Sequence, residues 1–133
     1  MQTRNFTLNE VFHRPQDVMG FDVPKIGLIA QGYIQGLRDS LSEAIGRDCP
    51  ITITSGYRGL VYNRSIKSDD TSYHRWRVEN GRVLFALDFK SSVLTPDNLF
   101  ELVRKRAVGE TYLHKKLGFV HIAPCGPNEE WKQ

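Results

Sequence analysis

The stretch Val83-Leu84-Phe85-Ala86-Leu87-Asp88-Phe89 decides the fold, because its alternation is typical of a β-strand with one buried face. Every second residue from Val83 to Phe89 is apolar and is expected to point into the core. The opposite face carries Asp88 beside the small Ala86, and a carboxylate there is incompatible with a plain hydrophobic core. The stretch therefore predicts a strand that also contributes to a polar site.

This strand is expected to be the second half of a β-hairpin over residues 75–90. The pair Asn80-Gly81 favours a type I′ turn, which brings the two ends of the hairpin back together. A second short strand is predicted over Gly118–Ile122, with Phe119, His121 and Ala123 on one face.

If these two strands are neighbours, Asp88 and His121 lie at adjacent positions on one surface of the sheet. His74 precedes the hairpin and can fold over the same surface. Two imidazoles and a carboxylate suit Zn²⁺ with a fourth position open for water. On spacing alone, the alternative interpretation is that all three are ordinary surface residues.

Helices are predicted to flank this sheet. Thr7-Leu8-Asn9-Glu10 has the form of a capping box, and Thr95-Pro96-Asp97 combines a cap with a first-turn proline and acid. Apolar residues at three- and four-residue steps from Pro24 to Ile45 predict a long amphipathic helix that ends at Gly46. Its glycines are expected to pack closely against another element; they are Gly27, Gly32 and Gly36.

The middle of the chain completes the predicted fold. Residues 50–54 are β-branched and alternating, which predicts a strand that ends at Ser55-Gly56. The polar stretch 58–72 is long for a turn and is a candidate functional loop. Together these signals predict the α+β class, with a small antiparallel sheet and flanking helices.

Length and composition limit the possible functions. The 133 residues are expected to form a single domain over 1–133, and the net charge of +3 is too small to indicate nucleic-acid binding. The sequence contains no run of about 18 apolar residues, so no membrane span is predicted. The N-terminus lacks an apolar signal core, so we expect synthesis without secretion and location in the cytoplasm of the producing cell.

Four motifs carry a resemblance to a known family. Residues 55–63, SGYRGLVYN, resemble the SGYRSxxYN signature of zinc-dependent D-Ala-D-Ala carboxypeptidases and related peptidoglycan peptidases, whose fold is shared with the Hedgehog signalling domain. Ser72-Tyr73-His74 is similar to the S-x-H of that family, and Ala86-Leu87-Asp88-Phe89 to its A-x-D-F. Residues 118–122, GFVHI, resemble its closing strand. The motifs occur in the family's order, and the similarity runs from about Asn5 to Trp131.

The resemblance implies a role for individual residues. His74, Asp88 and His121 would be the zinc ligands, and Arg58 would bind a carbonyl or carboxylate of the substrate. Ser72 would support the site by hydrogen bonding near His74. The implied substrate is a peptidoglycan peptide, cleaved by carboxypeptidase or endopeptidase action.

Two departures from the family pattern bear on activity. The family's usual H-x-x-G-x-A-x-D spacing is shorter than the spacing from His74 to Asp88, and the predicted hairpin accounts for the extra residues. The family also places a proton-accepting acid just before the last histidine or two residues after it, where this chain has Val120 and Ala123. Glu110, Glu129 or Glu130 would have to supply this acid from a loop. Loss of a general base costs ~10²–10⁴ in rate.

Two functions therefore remain open at this point. The first is a zinc peptidase that resembles phage-encoded members and reaches the cell wall after lysis or within a virion. The second is a peptidase-fold domain that has lost catalysis and serves as a structural or attachment component of a phage particle, with virion proteins as partners.

Overall fold

The computed structural model describes residues 3–13, 22–69, 71–125 and 129–132, the last segment for its backbone only. In chain order, its elements are α1 (Leu8–Phe12), α2 (Val23–Ile45), β1 (Ile51–Ser55), α3 (Leu60–Ser65), β2 (Arg77–Glu79), β3 (Arg82–Leu84), β4 (Leu87–Ser91), α4 (Pro96–Arg104), β5 (Glu110–His114), β6 (Phe119–Ala123) and β7 (Glu129–Lys132). Helices flank a sheet that is antiparallel at most of its pairings, which confirms the predicted α+β class.

The predicted helices are confirmed, and their ends follow the local signals. At α1, the Glu10 backbone N–H donates to the Thr7 hydroxyl while the Glu10 carboxylate accepts from the Thr7 backbone. Helix α2 ends at Gly46, whose φ of 71° is the left-handed conformation that glycine adopts without strain. At α4, the Thr95 hydroxyl accepts from the Asn98 backbone N–H.

The main sheet has five strands in the order β1-β4-β6-β5-β7. The first four pair antiparallel, whereas β7 lies parallel to β5 at the edge. Strands β2 and β3 form a separate two-stranded hairpin. Strands β5 and β7 were not predicted from the sequence, so the sheet is wider than expected.

The strand alternation divides the main sheet into an apolar and a polar face. The apolar face carries side chains with 0% exposure, namely Leu87, Phe89, Leu113, Val120 and Ile122. Helix α4 contacts β4, β5 and β6 and contributes the buried Leu99, Phe100 and Val103 to the same core. The opposite face carries Asp88 and His121, as the alternation predicts.

The prediction of one continuous strand over residues 83–89 is wrong, because β3 ends at Leu84 and β4 begins at Leu87. At the break, the Phe85 backbone N–H donates to the Cys125 sulfur, and the Ala86 carbonyl accepts from the Trp76 indole. These side chains satisfy backbone groups that a continuous strand would have paired. Strand β3 pairs with β2, whereas β4 turns into the main sheet between β1 and β6.

Two other expectations need correction. The stretch 58–72 contains helix α3 and is not a continuous loop. The prediction that the α2 glycines pack closely holds at Gly27, where a Cβ would lie 2.6 Å from the Phe12 ring. It is wrong at Gly32 and Gly36, where a Cβ would meet no atom from another part of the described chain within 4 Å, because that side of α2 faces a surface groove. Within the described residues, no helix is both long and apolar enough to cross a bilayer.

Candidate metal centre on the polar face of the sheet

Asp88 and His121 face each other across neighbouring strands. Strands β4 and β6 pair antiparallel with Asp88 directly opposite His121, which confirms the predicted adjacency. The Oδ1 atom of Asp88 lies 2.8 Å from the Nδ1 atom of His121. This close approach is a consequence of strand register, since side chains opposite each other share one face.

His74 reaches the same carboxylate from the segment before the β2–β3 hairpin. Its Nε2 lies 3.2 Å from Asp88 Oδ1, although the two residues are 14 positions apart in the chain. Its Nδ1 lies 2.8 Å from the Gly56 carbonyl oxygen. Because a carbonyl oxygen only accepts, His74 carries a proton on Nδ1 and presents Nε2 to Asp88.

The three side chains form a compact set of metal-ligating atoms. One such atom from each residue lies within 4.8 Å of the others, and the residues are buried at 3% exposure for His74, 4% for Asp88 and 7% for His121. Two imidazole nitrogens and one carboxylate oxygen are the protein donors typical of zinc sites that keep one position open. The chemistry of this donor set therefore fits the zinc ion that the resemblance implies.

The segment Ser55–Asn63 forms the wall beside His74. At Gly56, a Cβ would lie 1.8 Å from the Val11 carbonyl oxygen, so glycine is required for the chain to pass α1. The next two backbone N–H groups tie the segment to α1 and to the His74 segment. Tyr57 donates to the Phe12 carbonyl, and Arg58 donates to the His74 carbonyl at 2.8 Å. The motif thus fixes the position of the His74 segment through its backbone.

Arg58 lies at the rim of the donor set. Its Nη2 is 3.9 Å from Asp88 Oδ2, and its side chain is 16% exposed. Burial lowers the pKa of Arg58, while the negative charge of Asp88 acts in the opposite direction. A guanidinium retains its charge in such a place and offers several fixed donors to a carbonyl or carboxylate.

Ser72 acts on the backbone of the His74 segment. Its hydroxyl accepts a hydrogen bond from the His74 backbone N–H at 3.2 Å. The Arg77 guanidinium reinforces the same turn by donating to the Ser72 carbonyl at 3.0 Å and to the Arg75 carbonyl at 2.8 Å. The hydrogen bonds found for the His74 ring itself go to Gly56 and Asp88.

Glu110 belongs to a strand and not to a loop as expected. It is the first residue of β5 and pairs with Ala123, and its Oε1 lies 2.6 Å from His121 Nε2. Glu129 and Glu130 begin β7, where their backbones pair with Glu110 and Thr111. The predicted roles of their side chains lie outside the described part of the chain.

Tyr112 is a further member of the site that was not predicted from the sequence. It pairs with His121 across β5 and β6, and the centres of the two rings are 5.3 Å apart. Burial raises the pKa of Tyr112, and the charges of Asp88 and Glu110 raise it further. The alternation over residues 110–114, ETYLH, is a two-residue period that indicates a strand and would have placed Tyr112 beside Glu110.

The site concentrates charge around His121. Burial alone lowers the pKa of His121, but hydrogen bonds to Asp88 and Glu110 outweigh this effect and raise the pKa to about 9. For Asp88, burial alone raises the pKa, whereas His74 and His121 lower it well below its usual range. Without a metal ion, His121 is therefore a cation between two carboxylates near neutral pH.

The site consists of two buried histidines and a buried aspartate on one face of a small sheet, with an arginine at its rim. In an α+β fold, this is the arrangement of a metallopeptidase-like domain. The family model described as Peptidase M15 matches residues 4–123. The chain belongs to the peptidase M15 family, and this membership implies a peptide substrate. Comparison with curated proteins and with solved structures finds no match.

Proposed function

We propose that this protein is a zinc-dependent peptidase, a carboxypeptidase or an endopeptidase, that hydrolyses peptidoglycan stem peptides. The observation that carries the proposal is the convergence of His74 Nε2 and His121 Nδ1 on one oxygen of Asp88, at 3.2 and 2.8 Å. Membership of the peptidase M15 family supports peptide hydrolysis. The resemblance of the SGYR and GFVHI motifs to peptidoglycan peptidases supports the substrate class.

The residues that would hold the ion are His74, Asp88 and His121. When bound there, Zn²⁺ would supply a Lewis acid that polarises the scissile carbonyl and activates water. The Gly56 carbonyl orients the His74 ring, and Ser72 and Arg77 hold the backbone that carries it. This support matters because a ligand that is displaced by 1 Å weakens both metal binding and catalysis.

Arg58 is the candidate for binding the substrate. Its guanidinium lies beside Asp88 at the partly exposed rim, so it can contact a peptide carboxylate or carbonyl next to the metal. On the other side of His121, the half-buried ring of Tyr112 borders the site from strand β5. Together the two side chains would orient the peptide, while the positive charge of Arg58 favours a carboxylate near the bond to be cleaved.

A second candidate function is that of a domain that has lost catalysis and serves as a structural or attachment component of a phage virion. The observation in its favour is the nature of the residues around His121. Ala123 stands where the family pattern has an acid, and the Glu110 carboxylate is hydrogen-bonded to Nε2, the ring nitrogen that does not face Asp88. Neither residue places a proton acceptor on the Asp88 side of the ring.

The primary test is zinc content together with cleavage of purified muropeptides. We expect about one zinc per chain, loss of that zinc in His121→Ala, and release of D-Ala or opening of cross-links that stops with a chelator and returns with added zinc. Glu101→Ala is a suitable control, because Glu101 is 42% exposed on α4 and pairs with Arg104. This variant should keep both zinc and activity.

The outcomes separate the two functions. Protein that binds zinc but leaves every muropeptide intact supports the domain without catalysis and contradicts the peptidase. Wild-type protein that takes up no zinc contradicts the proposed metal site itself.

A further inference from the structure

Both ring nitrogens of His121 are engaged by carboxylates. Nδ1 lies 2.8 Å from Asp88 Oδ1, and Nε2 lies 2.6 Å from Glu110 Oε1. The two nitrogens flank Cε1 of the imidazole ring and point in widely different directions, so a metal ion can bind one of them while the other keeps its carboxylate. The nitrogen that faces His74 and Asp88 is Nδ1, because His74 Nε2 approaches the same Asp88 oxygen at 3.2 Å.

The fold places Glu110 at the outer nitrogen through a close contact between strands. Gly109, immediately before it, has a φ of 80°, and a Cβ there would lie 2.4 Å from the Ala123 carbonyl oxygen. Glycine therefore allows β5 to begin directly against the end of β6. Glu110 then pairs with Ala123, on the same face as His121, with its side chain only 16% exposed.

We propose that Glu110 is a positioning residue that holds the proton of His121 on Nε2 and thereby directs Nδ1 toward the metal. This inference rests on the proposed zinc function. Histidine ligands in metal sites commonly donate their second N–H to a carboxylate, which fixes the ring orientation and strengthens the ligand. Here the carboxylate comes from the neighbouring strand and not from the residues that flank the histidine in the chain.

The assignment separates Glu110 from the role of proton acceptor. A general base must lie within hydrogen-bond reach of the proton it removes. The Glu110 carboxylate is at the edge of the His121 ring that points away from Asp88 and His74. Its contribution is to the affinity and geometry of the metal site, and removing it should weaken zinc binding as well as any activity.

The test is the zinc dissociation constant of Glu110→Ala, Glu110→Gln and the wild type, measured by competition with a chromophoric chelator. We expect the alanine variant to bind zinc about 10- to 100-fold more weakly. The glutamine variant should recover part of this loss, because its amide oxygen still accepts from Nε2–H. The absorption spectrum of Co²⁺-loaded protein should change in the alanine variant, since the orientation of one ligand is released.

Glu101→Ala is the matched control and should bind zinc like the wild type. Thermal unfolding of the metal-free variants shows whether each is folded, and the glutamine variant carries the test if the alanine variant is not. If both Glu110 variants bind zinc as tightly as the wild type and show its Co²⁺ spectrum, the positioning role is overturned; loss of activity in that case would point to a general base. Wild-type protein without zinc affinity would overturn the proposed function and, with it, this role.

Discussion

His121 is the residue on which the charge balance of the site depends. It is buried between Asp88 and Glu110, and this environment raises its pKa to about 9 while the pKa of Asp88 falls. The metal-free site therefore holds its own cation in the form of the protonated ring. Binding of the proposed zinc ion would displace a proton from His121, so zinc affinity should rise with pH.

The raised pKa predicts how the stability of the metal-free protein depends on pH. Because the pKa of His121 is about 9 in the folded protein and 6.5 when unperturbed, its stabilising effect is complete below about pH 6.5 and is lost as pH rises through 9. For Asp88, whose pKa is lowered, stability is lost as pH falls below about 4. Chelator-treated protein should thus be most stable between about pH 4 and 6.5.

Urea unfolding at several pH values measures this effect. The free energy of unfolding should fall by up to about 3 kcal/mol between pH 6.5 and 9. The variant His121→Gln lacks the titrating ring and should show a much flatter curve over this range. A wild-type curve as flat as that of the variant would contradict the charge balance described for the site.

At the scale of elements, α2 contains a conflict between local preference and tertiary contact. Glycine in a helix interior costs roughly 0.5–1 kcal/mol relative to alanine. At Gly27 the Phe12 ring occupies the place that a side chain would need, whereas a Cβ at Gly32 or Gly36 would meet nothing else within 4 Å among the residues that the structure describes. They line a groove of about 300 Å³ on the surface of α2, together with Tyr33, Leu37, Ser40 and Arg106.

This contrast predicts opposite effects of the same substitution within one helix. Gly32→Ala and Gly36→Ala should each raise the free energy of unfolding by about 0.5–1 kcal/mol, because they restrict the unfolded chain without creating a clash. Gly27→Ala should lower it, since its Cβ would lie 2.6 Å from a Phe12 ring carbon. Chemical denaturation of the three variants tests the pattern, and destabilisation at both Gly32 and Gly36 would contradict it.

At the scale of the whole molecule, an aromatic cluster joins the hairpin, the SGYR segment and α1 into one unit. Trp76 is 4% exposed, and its ring centre lies 5.7 Å from that of Phe12, 5.9 Å from Tyr57 and 6.2 Å from Phe85. Its indole N–H donates to the Ala86 carbonyl at 3.2 Å. This bond closes the base of the hairpin, because Trp76 follows His74 by two residues and Ala86 precedes Asp88 by two.

Trp76→Ala should therefore damage both the fold and the metal site. We expect a loss of about 3–5 kcal/mol in unfolding free energy, as for other buried large aromatic residues, together with weaker zinc binding. Val78→Ala is a control in the same hairpin, because Val78 is 47% exposed, and its effect should stay within about 0.5 kcal/mol. Normal zinc affinity in a folded Trp76→Ala protein would show that the hairpin base does not position His74 and Asp88.

Much of the fold and of the candidate site could be predicted because its signals are local. The capping box at Thr7–Glu10, the stop at Gly46 and the cap at Thr95 act over three or four residues, and the structure confirms them. Alternation over two residues placed Asp88 and His121 on the polar face of their strands. The type I′ turn signal at Asn80-Gly81 explained how His74 and Asp88 meet despite their spacing.

By itself, then, the sequence indicated helices α1, α2 and α4 and the faces of two strands, and its motifs pointed to the three residues that converge on the candidate metal site. Only the tertiary structure decided what lies beside them, because strand order and side-chain contacts connect residues far apart in the chain. It placed β5 next to β6, which brings Glu110 and Tyr112 to His121, and it left room for a Cβ at Gly32 and Gly36 among the described residues. It also broke the strand at residues 85–86, where the side chains of Trp76 and Cys125 take the backbone hydrogen bonds that a strand partner would have used.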